Sequence, residues 1–312
     1  IAASWAGTPG GKNYHVTSGQ NATFYVEEHD TGHVTKRVID GGEDRERGVR
    51  ISYYLDEAAV GDAVLTINDA DGDLVDTFPS TIPEDKKDRR GLYITAKAGM
   101  NTFQWPMTYP SGEKMVDTEF HGRPTGPLAK PGTYTATLTV GDWSTSQTFE
   151  LLKDPRISTS DADFAEQFDF LMKIRDKLSE IVTAVNTIRS LKRQLNEWVE
   201  RLDKDASGAG IVDDARKLMQ SLTDIENRLV QVEFTADGDT LNYREQLFEK
   251  LSSLPPVVAS ADTRPTVQSY AVYDKLAGQA DEQLAALQAL REGELAGLNR
   301  QLAGLEVAII GV

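Results

Sequence analysis

The sequence predicts an α+β multidomain protein, with a β-sandwich first and an antiparallel bundle of long helices after it. Three observations carry this. Composition changes near Asp154-Pro155: most glycines, prolines and tyrosines come before it, and runs rich in Leu, Ala, Gln, Glu and Arg come after. Before the change, short stretches alternate apolar and polar residues, the period of a half-buried strand. After it, apolar residues recur at steps of three and four, the period of a packed helix. Strands followed by helices argue for separate domains rather than a βαβ sheet. The boundaries drawn are residues 1–47 as an N-terminal segment or junction, 48–153 as the sandwich and 154–312 as the helical bundle.

Within residues 1–47, Thr23 to Val26 and Val34 to Ile39 have the composition of a hairpin. Asp40 to Arg47, glycine-rich and charged, reads as a linker. From Val49 the alternation is plain: Val49, Ile51, Tyr53 and Leu55, then Ala63 to Ile67. Asp69-Ala70-Asp71-Gly72-Asp73 turns the chain into Leu74 to Phe78. Leu92 to Ala96 and Asn101 to Trp105 follow. Pro131-Gly132 precedes Thr133 to Val140, and Gly141-Asp142 precedes Thr145 to Leu152. About seven short strands at this spacing suggest two sheets packed face to face.

The helical part opens on Ser160-Asp161-Ala162-Asp163, which offers an N-cap and first-turn acids. Its stripe runs from Phe164 through Phe168, Ile174, Leu178, Ile181, Val185, Ile188 and Leu195 to Trp198 and Leu202. Gly208-Ala209-Gly210 breaks it. Val212 to Val230 is a second helix, and Tyr243 to Leu254 a shorter third that Pro255-Pro256 stops. The last begins near Pro265, with its seam at Leu284, Leu287, Leu295, Leu298, Leu302 and Leu305. Two long helices of similar length are expected to lie antiparallel, with Trp198 near Tyr270 or Tyr273. The leucine seam is the expected route to partners, a second copy of the chain included.

Charge narrows the partners. Asp and Glu number 49 against 33 Lys and Arg, a net charge of −16. Such a surface repels phosphate backbones, so nucleic acid is not an expected ligand. No apolar run reaches the roughly 18 residues that span a bilayer. With no cysteine, disulfides and thiolate chemistry are excluded. The lack of thiols suits an oxidising compartment. Opening on Ile1 rather than Met makes a processed or excised fragment the expectation.

Motifs that would carry chemistry are sparse. Asp30-Thr31-Gly32 matches one half of an aspartic-protease pair, but that chemistry needs two carboxylates sharing a proton. A polar turn is the reading. His29 and His33 could share a metal only on a helix, and the intervening triplet favours a turn. Asp69, Asp71 and Asp73 around Gly72 resemble part of a calcium loop, yet Ser80 stands where the terminal Glu is required. They are the sole calcium candidate, and no other cofactor is indicated. Gly10-Gly11-Lys12 lacks the Ser or Thr of a phosphate loop, because Asn13 follows. Asn21-Ala22-Thr23 is a glycosylation sequon, meaningful only in a secretory eukaryotic setting. Aromatic residues in a sandwich usually form core. Trp143, in a predicted turn, is the candidate for stacking on a sugar. No acid, base and nucleophile converge, so the chain alone is read as non-catalytic.

Several stretches occur together in one order: Gln167-Phe168-Asp169-Phe170, Arg175-Asp176-Lys177-Leu178-Ser179-Glu180, Ala184-Val185-Asn186, Leu241-Asn242-Tyr243 and Ala259-Ser260-Ala261-Asp262. Earlier come Asn101-Thr102-Phe103-Gln104-Trp105 with Tyr109-Pro110, then Pro131-Gly132-Thr133-Tyr134. In these, residues 48–312 resemble the C-terminal region of bacterial β-propeller proteins with sortilin-like, BNR-type repeats, often labelled glycosyl hydrolases. The resemblance implies a fibronectin-type, Ig-like sandwich and then helices, after an N-terminal propeller of the same protein that would be the partner. It implies a secreted or periplasmic address. The Ser-x-Asp-x-Gly-x-Thr-Trp repeat of sialidase-like blades is not in the sequence, so no catalytic residue carries over. The expected role is a structural and interaction module, and the rival a carbohydrate-binding module serving a glycosidase.

Overall fold

The computed structural model describes residues 2–6, 24–28, 34–38, 47–82, 93–116, 124–202, 209–235 and 238–304. It is a mixed α and β protein. The chain forms two compact units: Ile1–Met107 with Pro131–Ile157, and Thr108–Lys130 with Ser158–Val312.

Among the described residues the first unit holds nine antiparallel strands: β1 (Ala2–Ala6), β2 (Phe24–Glu28), β3 (Val34–Val38), β4 (Gly48–Leu55), β5 (Ala63–Asn68), β6 (Leu74–Pro79), β7 (Gly99–Trp105), β8 (Gly132–Val140) and β9 (Trp143–Leu151). They make a three-stranded sheet, β1-β4-β7, a four-stranded sheet, β6-β5-β8-β9, and a β2-β3 hairpin. Alternation does what the sequence asked of it. Val49, Ile51, Tyr53 and Leu55 of β4 are buried, as are Ala63, Leu65 and Ile67 of β5 and Tyr134, Ala136 and Leu138 of β8. The two larger sheets meet through rings. Phe78 lies 4.5 Å from Phe103, and Trp105 lies 5.4 Å from Tyr134.

One expected strand is absent. Residues 93–97 form no ladder. Instead Ile94 N donates to Pro79 O, and Asn101, buried, accepts from Thr95 Oγ1 and Lys97 N while donating to the carbonyls of Lys97 and Gly99. A side chain does there what a neighbouring strand would otherwise do.

The second unit is built on α1 (Asp161–Leu202), α2 (Ala209–Leu229), α3 (Leu247–Ser252), α4 (Leu254–Val258), α5 (Val267–Leu290), one wide π turn (Arg291–Leu295) and α6 (Ala296–Ala303). Ser160 caps α1 as expected, its Oγ accepting from Asp163 N at 3.2 Å. At 42 residues, α1 is about 63 Å long. The π turn has a reason in the seam. From Leu287 to Leu295 is eight residues, and straight α-helix would carry Leu295 about 80° past Leu287. A turn of wider pitch absorbs the excess, and Leu287, Leu295, Leu298 and Leu302 all stay buried.

The antiparallel pairing of the two long helices is corrected. The ring of Tyr270 packs tilted 4.2 Å from that of Phe170, Lys173 sits over the ring of Tyr273, and Lys177 bonds Asp281 at 2.8 Å. Numbers rise together, so α1 and α5 run parallel. Tyr270 and Tyr273 therefore lie at the first turns of α1, far along the chain from Trp198. The reason is a third pass. Arg189 of α1 bonds Glu226 of α2, and Gln167 at the start of α1 bonds Val258, Ala261 and Thr263. Helix α2 followed by α3 and α4 is one return stroke along α1, so α5 must start where α1 starts.

The domain boundary also differs from the sequence reading. Residues 108–116 and 124–130, assigned above to the sandwich, belong to the helical unit. Met115 is buried in the helical core, Val116 N donates to Asn186 Oδ1 at 2.8 Å, and Asn186 Nδ2 donates to Lys114 O at 3.0 Å. Gly126 is required in this strap, because a Cβ there would overlap the Tyr109 carbonyl. The strap reads as loop in the sequence because several of its backbone groups bond side chains of α1, Ser179, Asn186 and Arg189, far along the chain.

Candidate functional site

The calcium candidate is a side-chain-braced turn. Asp69 Oδ1 accepts from the amides of Asp71 at 3.1 Å and Asp73 at 2.9 Å, and Asn68 Nδ2 donates to Gly72 O at 3.0 Å. An Asp oxygen so occupied mimics a backbone turn. Among the described residues no three Asp, Glu, His or Cys side chains are close enough to hold a metal, Asp69, Asp71 and Asp73 included. His29, Asp30 and His33, Gly10-Gly11-Lys12 and the Asn21 sequon lie outside the described residues.

Trp143 stands at the first position of β9, paired with Val140 across the Gly141-Asp142 turn, and is 52% exposed. Its ring is available, but the other aromatics of the unit are spent differently. Tyr53, Phe78, Phe103, Trp105 and Tyr134 are buried. Tyr54 is 61% exposed on β4, which belongs to the other sheet. Trp143 and Tyr54 therefore do not form one flat platform.

Most of the described part of the leucine seam is core. Leu287, Leu295, Leu298 and Leu302 are buried in the core that α1, α2 and α5 share, and Leu284 is half-buried against it. Leu305 lies outside the described residues. Four of the six leucines expected to form a route to partners are thus packed against this chain's own helices.

Polar groups that the sequence reading passed over do the joining here. Gln167, 8% exposed, donates through Nε2 to three carbonyls, Val258, Ala261 and Thr263, and so ties the end of α4 to α1. Beside it, Glu166 accepts from Arg264 Nε at 2.8 Å and from Tyr270 OH at 2.9 Å. Burial, with the Glu166 carboxylate next to it, pushes the Tyr270 phenol up to about 12. Glu226, buried, faces Arg189 at 2.7 Å and Lys192 at 3.1 Å, and Arg189 also donates to Val116 O. A lone carboxylate in a core needs such partners to stay charged. The sequence did hold a signal. Gln167 and Glu226 sit on apolar stripes, between Phe164 and Phe168 and between Leu222 and Leu229.

A shallow groove of about 460 Å³ runs between α1 and α5, lined by Ser179, Thr183, Ala184, Leu284, Gln288 and Arg291 among others. Its lining mixes Ala184, Leu284 and Leu287 with the hydroxyls of Ser179, Thr183 and Thr187 and the charged Asp176, Glu180 and Arg291. No protein-family model matches the chain, and no curated protein does.

Proposed function

We propose that this chain is a non-catalytic structural and interaction module of a secreted or periplasmic β-propeller protein, bracing that propeller or mediating assembly. In finer terms, the first unit is a fibronectin-type, Ig-like sandwich and the second a long-helix bundle. The observation that carries the reading is where the aromatic side chains go. Rings that a sugar-binding face would display, Tyr53, Phe103, Trp105 and Tyr134, are spent on the contact between sheets. The polar groups of the helical unit are spent likewise on ties within it.

The test is reconstitution. The propeller encoded upstream in the same gene, expressed separately, co-elutes with residues 1–312 in size-exclusion chromatography, and residues 1–312 alone turn over no glycoside. Failure to co-elute would sink the bracing role. The rival, a carbohydrate-binding module, rests on exposed Trp143 alone. Retention on insoluble polysaccharide, lost in Trp143→Ala, would install it instead.

A further inference from the structure

We propose that the groove between α1 and α5 binds a short peptide with free termini, its carboxylate at Arg291 and its ammonium toward Glu180. The proposal stands on the groove itself and does not depend on the propeller. The groove, of about 460 Å³, is lined wholly by described residues of one unit, from Asp176 to Thr187 on α1 and from Leu284 to Arg291 on α5. Small-ligand sites hold about 300–1,000 Å³. Ala184 and Leu287, both buried, and half-buried Leu284 give it apolar surface.

Beside the groups that tie the helical unit together, the lining holds some that are tied to nothing. Asp176 pairs with Arg175 at 2.6 Å, Glu180 pairs with Lys177, and the Gln288 amide donates to Glu292. Ser179 Oγ accepts from Glu113 N and donates to Arg175 O. In contrast, among the described residues no hydrogen bond or ion pair engages the Arg291 guanidinium or the hydroxyls of Thr183 and Thr187. Arg291 also opens the π turn, and turns of that kind recur at functional sites. Toward the start of α1 the carboxylates outnumber their partner, because the Lys177 ammonium is shared between Glu180 and Asp281. The lining therefore carries its acids at one end and its cation at the other.

The spacing of those ends sets the size of the occupant. Helices α1 and α5 run parallel, and the Lys177–Asp281 bond joins residues 104 positions apart. The same offset sets Thr187 level with Arg291. From that level back to Glu180 is seven residues of α1, about 10 Å. An extended chain covers about 3.3–3.6 Å per residue, so about three residues span the same distance. A tripeptide laid along the groove brings its carboxylate to Arg291 and Thr187, where a guanidinium can bond both oxygens, and its ammonium to Glu180. Thr183, between those levels, offers a hydroxyl to a peptide group, and Leu284 and Leu287 offer contact to the middle side chain. A zwitterion adds no net charge to a chain at −16, whereas a phosphate dianion would be repelled by it.

The experiment adds the tripeptide alanyl-leucyl-alanine to residues 1–312 and follows the carbon-13 methyl signals of Thr183 and Thr187. The free peptide should shift both signals saturably, with a Kd of about 1 mM. Exposed charge pairs are weak, so N-acetylation and C-amidation of the peptide should each reduce affinity by about threefold or more. Two variants then assign the ends. Arg291→Gln should bind free and amidated peptide alike yet still prefer a free amine. Glu180→Gln should bind free and acetylated peptide alike yet still prefer a free carboxylate. Both residues are exposed, so circular dichroism melting of the variants should match the wild type, and the blocked peptides test the wild type without any variant. Methyl signals that stay put at about 10 mM peptide overturn the proposal. So do blocked peptides that bind as tightly as the free one, and variants that keep both preferences or exchange them.

Discussion

The two units fix their registers by different means, and the difference follows from where their backbone hydrogen bonds go. In the first unit neighbouring strands are bonded to each other, so the ladder that forms the strand also sets its register, as in Val49↔Trp105 through Leu55↔Gly99. Its buried polar ties can then be local. Asn101 reaches Thr95, Lys97 and Gly99, and Asp154 reaches Arg156. A helix satisfies its backbone internally, and an apolar stripe lets a neighbour slide or reverse at little cost. The second unit supplies the missing information with polar side chains far apart in sequence: Gln167 to Val258, Glu166 to Tyr270, Arg189 to Glu226. Buried polar groups that specify register have this use in coiled coils.

The largest effects test the part both units share. Ile188→Ala in the helices and Leu138→Ala in β8 each remove a fully buried aliphatic side chain, and each should cost about 2–5 kcal/mol in denaturant unfolding. A loss below 1 kcal/mol at either site would mean that unit lacks the tightly packed core described here.

Next comes the contrast itself. Glu226→Ala leaves Arg189 and Lys192 without their carboxylate, and removing one partner of a buried pair costs about 3 kcal/mol or more. Asn101→Ala leaves Lys97 N without an acceptor, at about 1–3 kcal/mol. If Asn101→Ala proved the more damaging, the claim that long-range polar ties matter most in the helical unit would fail. The strap offers a further break. Gly126→Ala forces a Cβ against the Tyr109 carbonyl and should cost about 1–3 kcal/mol. Faster proteolysis within residues 108–130 should accompany it, and wild-type protection there would show that the strap does not need Gly126.

This division also sets what could be read from the sequence. Apart from the expected strand at Leu92 to Ala96, strand positions from Val49 onward, the Gly141-Asp142 turn and the Ser160 cap are local events with local signals, and they were legible. The direction of α5 was not, because Leu284 to Leu302 make the same stripe read either way. It follows from counting passes, and the return stroke was hidden in the short helices α3 and α4. The strap was illegible because its partners, Ser179, Asn186 and Arg189, lie in another part of the chain. Of the candidate residues, Trp143 is exposed as the sequence reading expected. Gln167 and Glu226 were visible as polar interruptions, but nothing local said what each would meet.

The smallest effects compare one ionisable tie from each unit. In the first unit, hydrogen bonds from the Arg156 guanidinium and backbone amide hold the Asp154 carboxyl down to about 2, against 3.8 for the free group. A depressed carboxylate contributes stability that is complete above the unfolded value, near pH 4, and lost as pH falls through about 2. In the second unit Tyr270 is raised from 10.0 to about 12. A raised phenol contributes stability that is complete below pH 10 and lost as pH rises through about 12. The two ties should therefore fail at opposite ends of the pH scale, and each should answer only to its own partner. Carbon-13 NMR of the Asp154 carboxyl should show its midpoint rising toward 3.8 in Arg156→Ala, with the tyrosine ultraviolet titration unchanged. In Glu166→Gln the reverse is expected: the Tyr270 phenol moves down from about 12, because the neighbouring negative charge is gone, while Asp154 stays where it was. Burial, the largest cause of the Tyr270 shift, persists in that variant, so the fall should be partial and stop above 10.0. A full return to 10.0 would mean that Glu166 had been holding Tyr270 inside the helical core, and that the tie sets packing as well as register. No movement at all would mean that the hydrogen bond from Tyr270 to Glu166 does not persist in solution, and the start of α5 would then be set by its other ties, among them Gln167, the Arg264–Glu166 pair and the Phe170 ring contact.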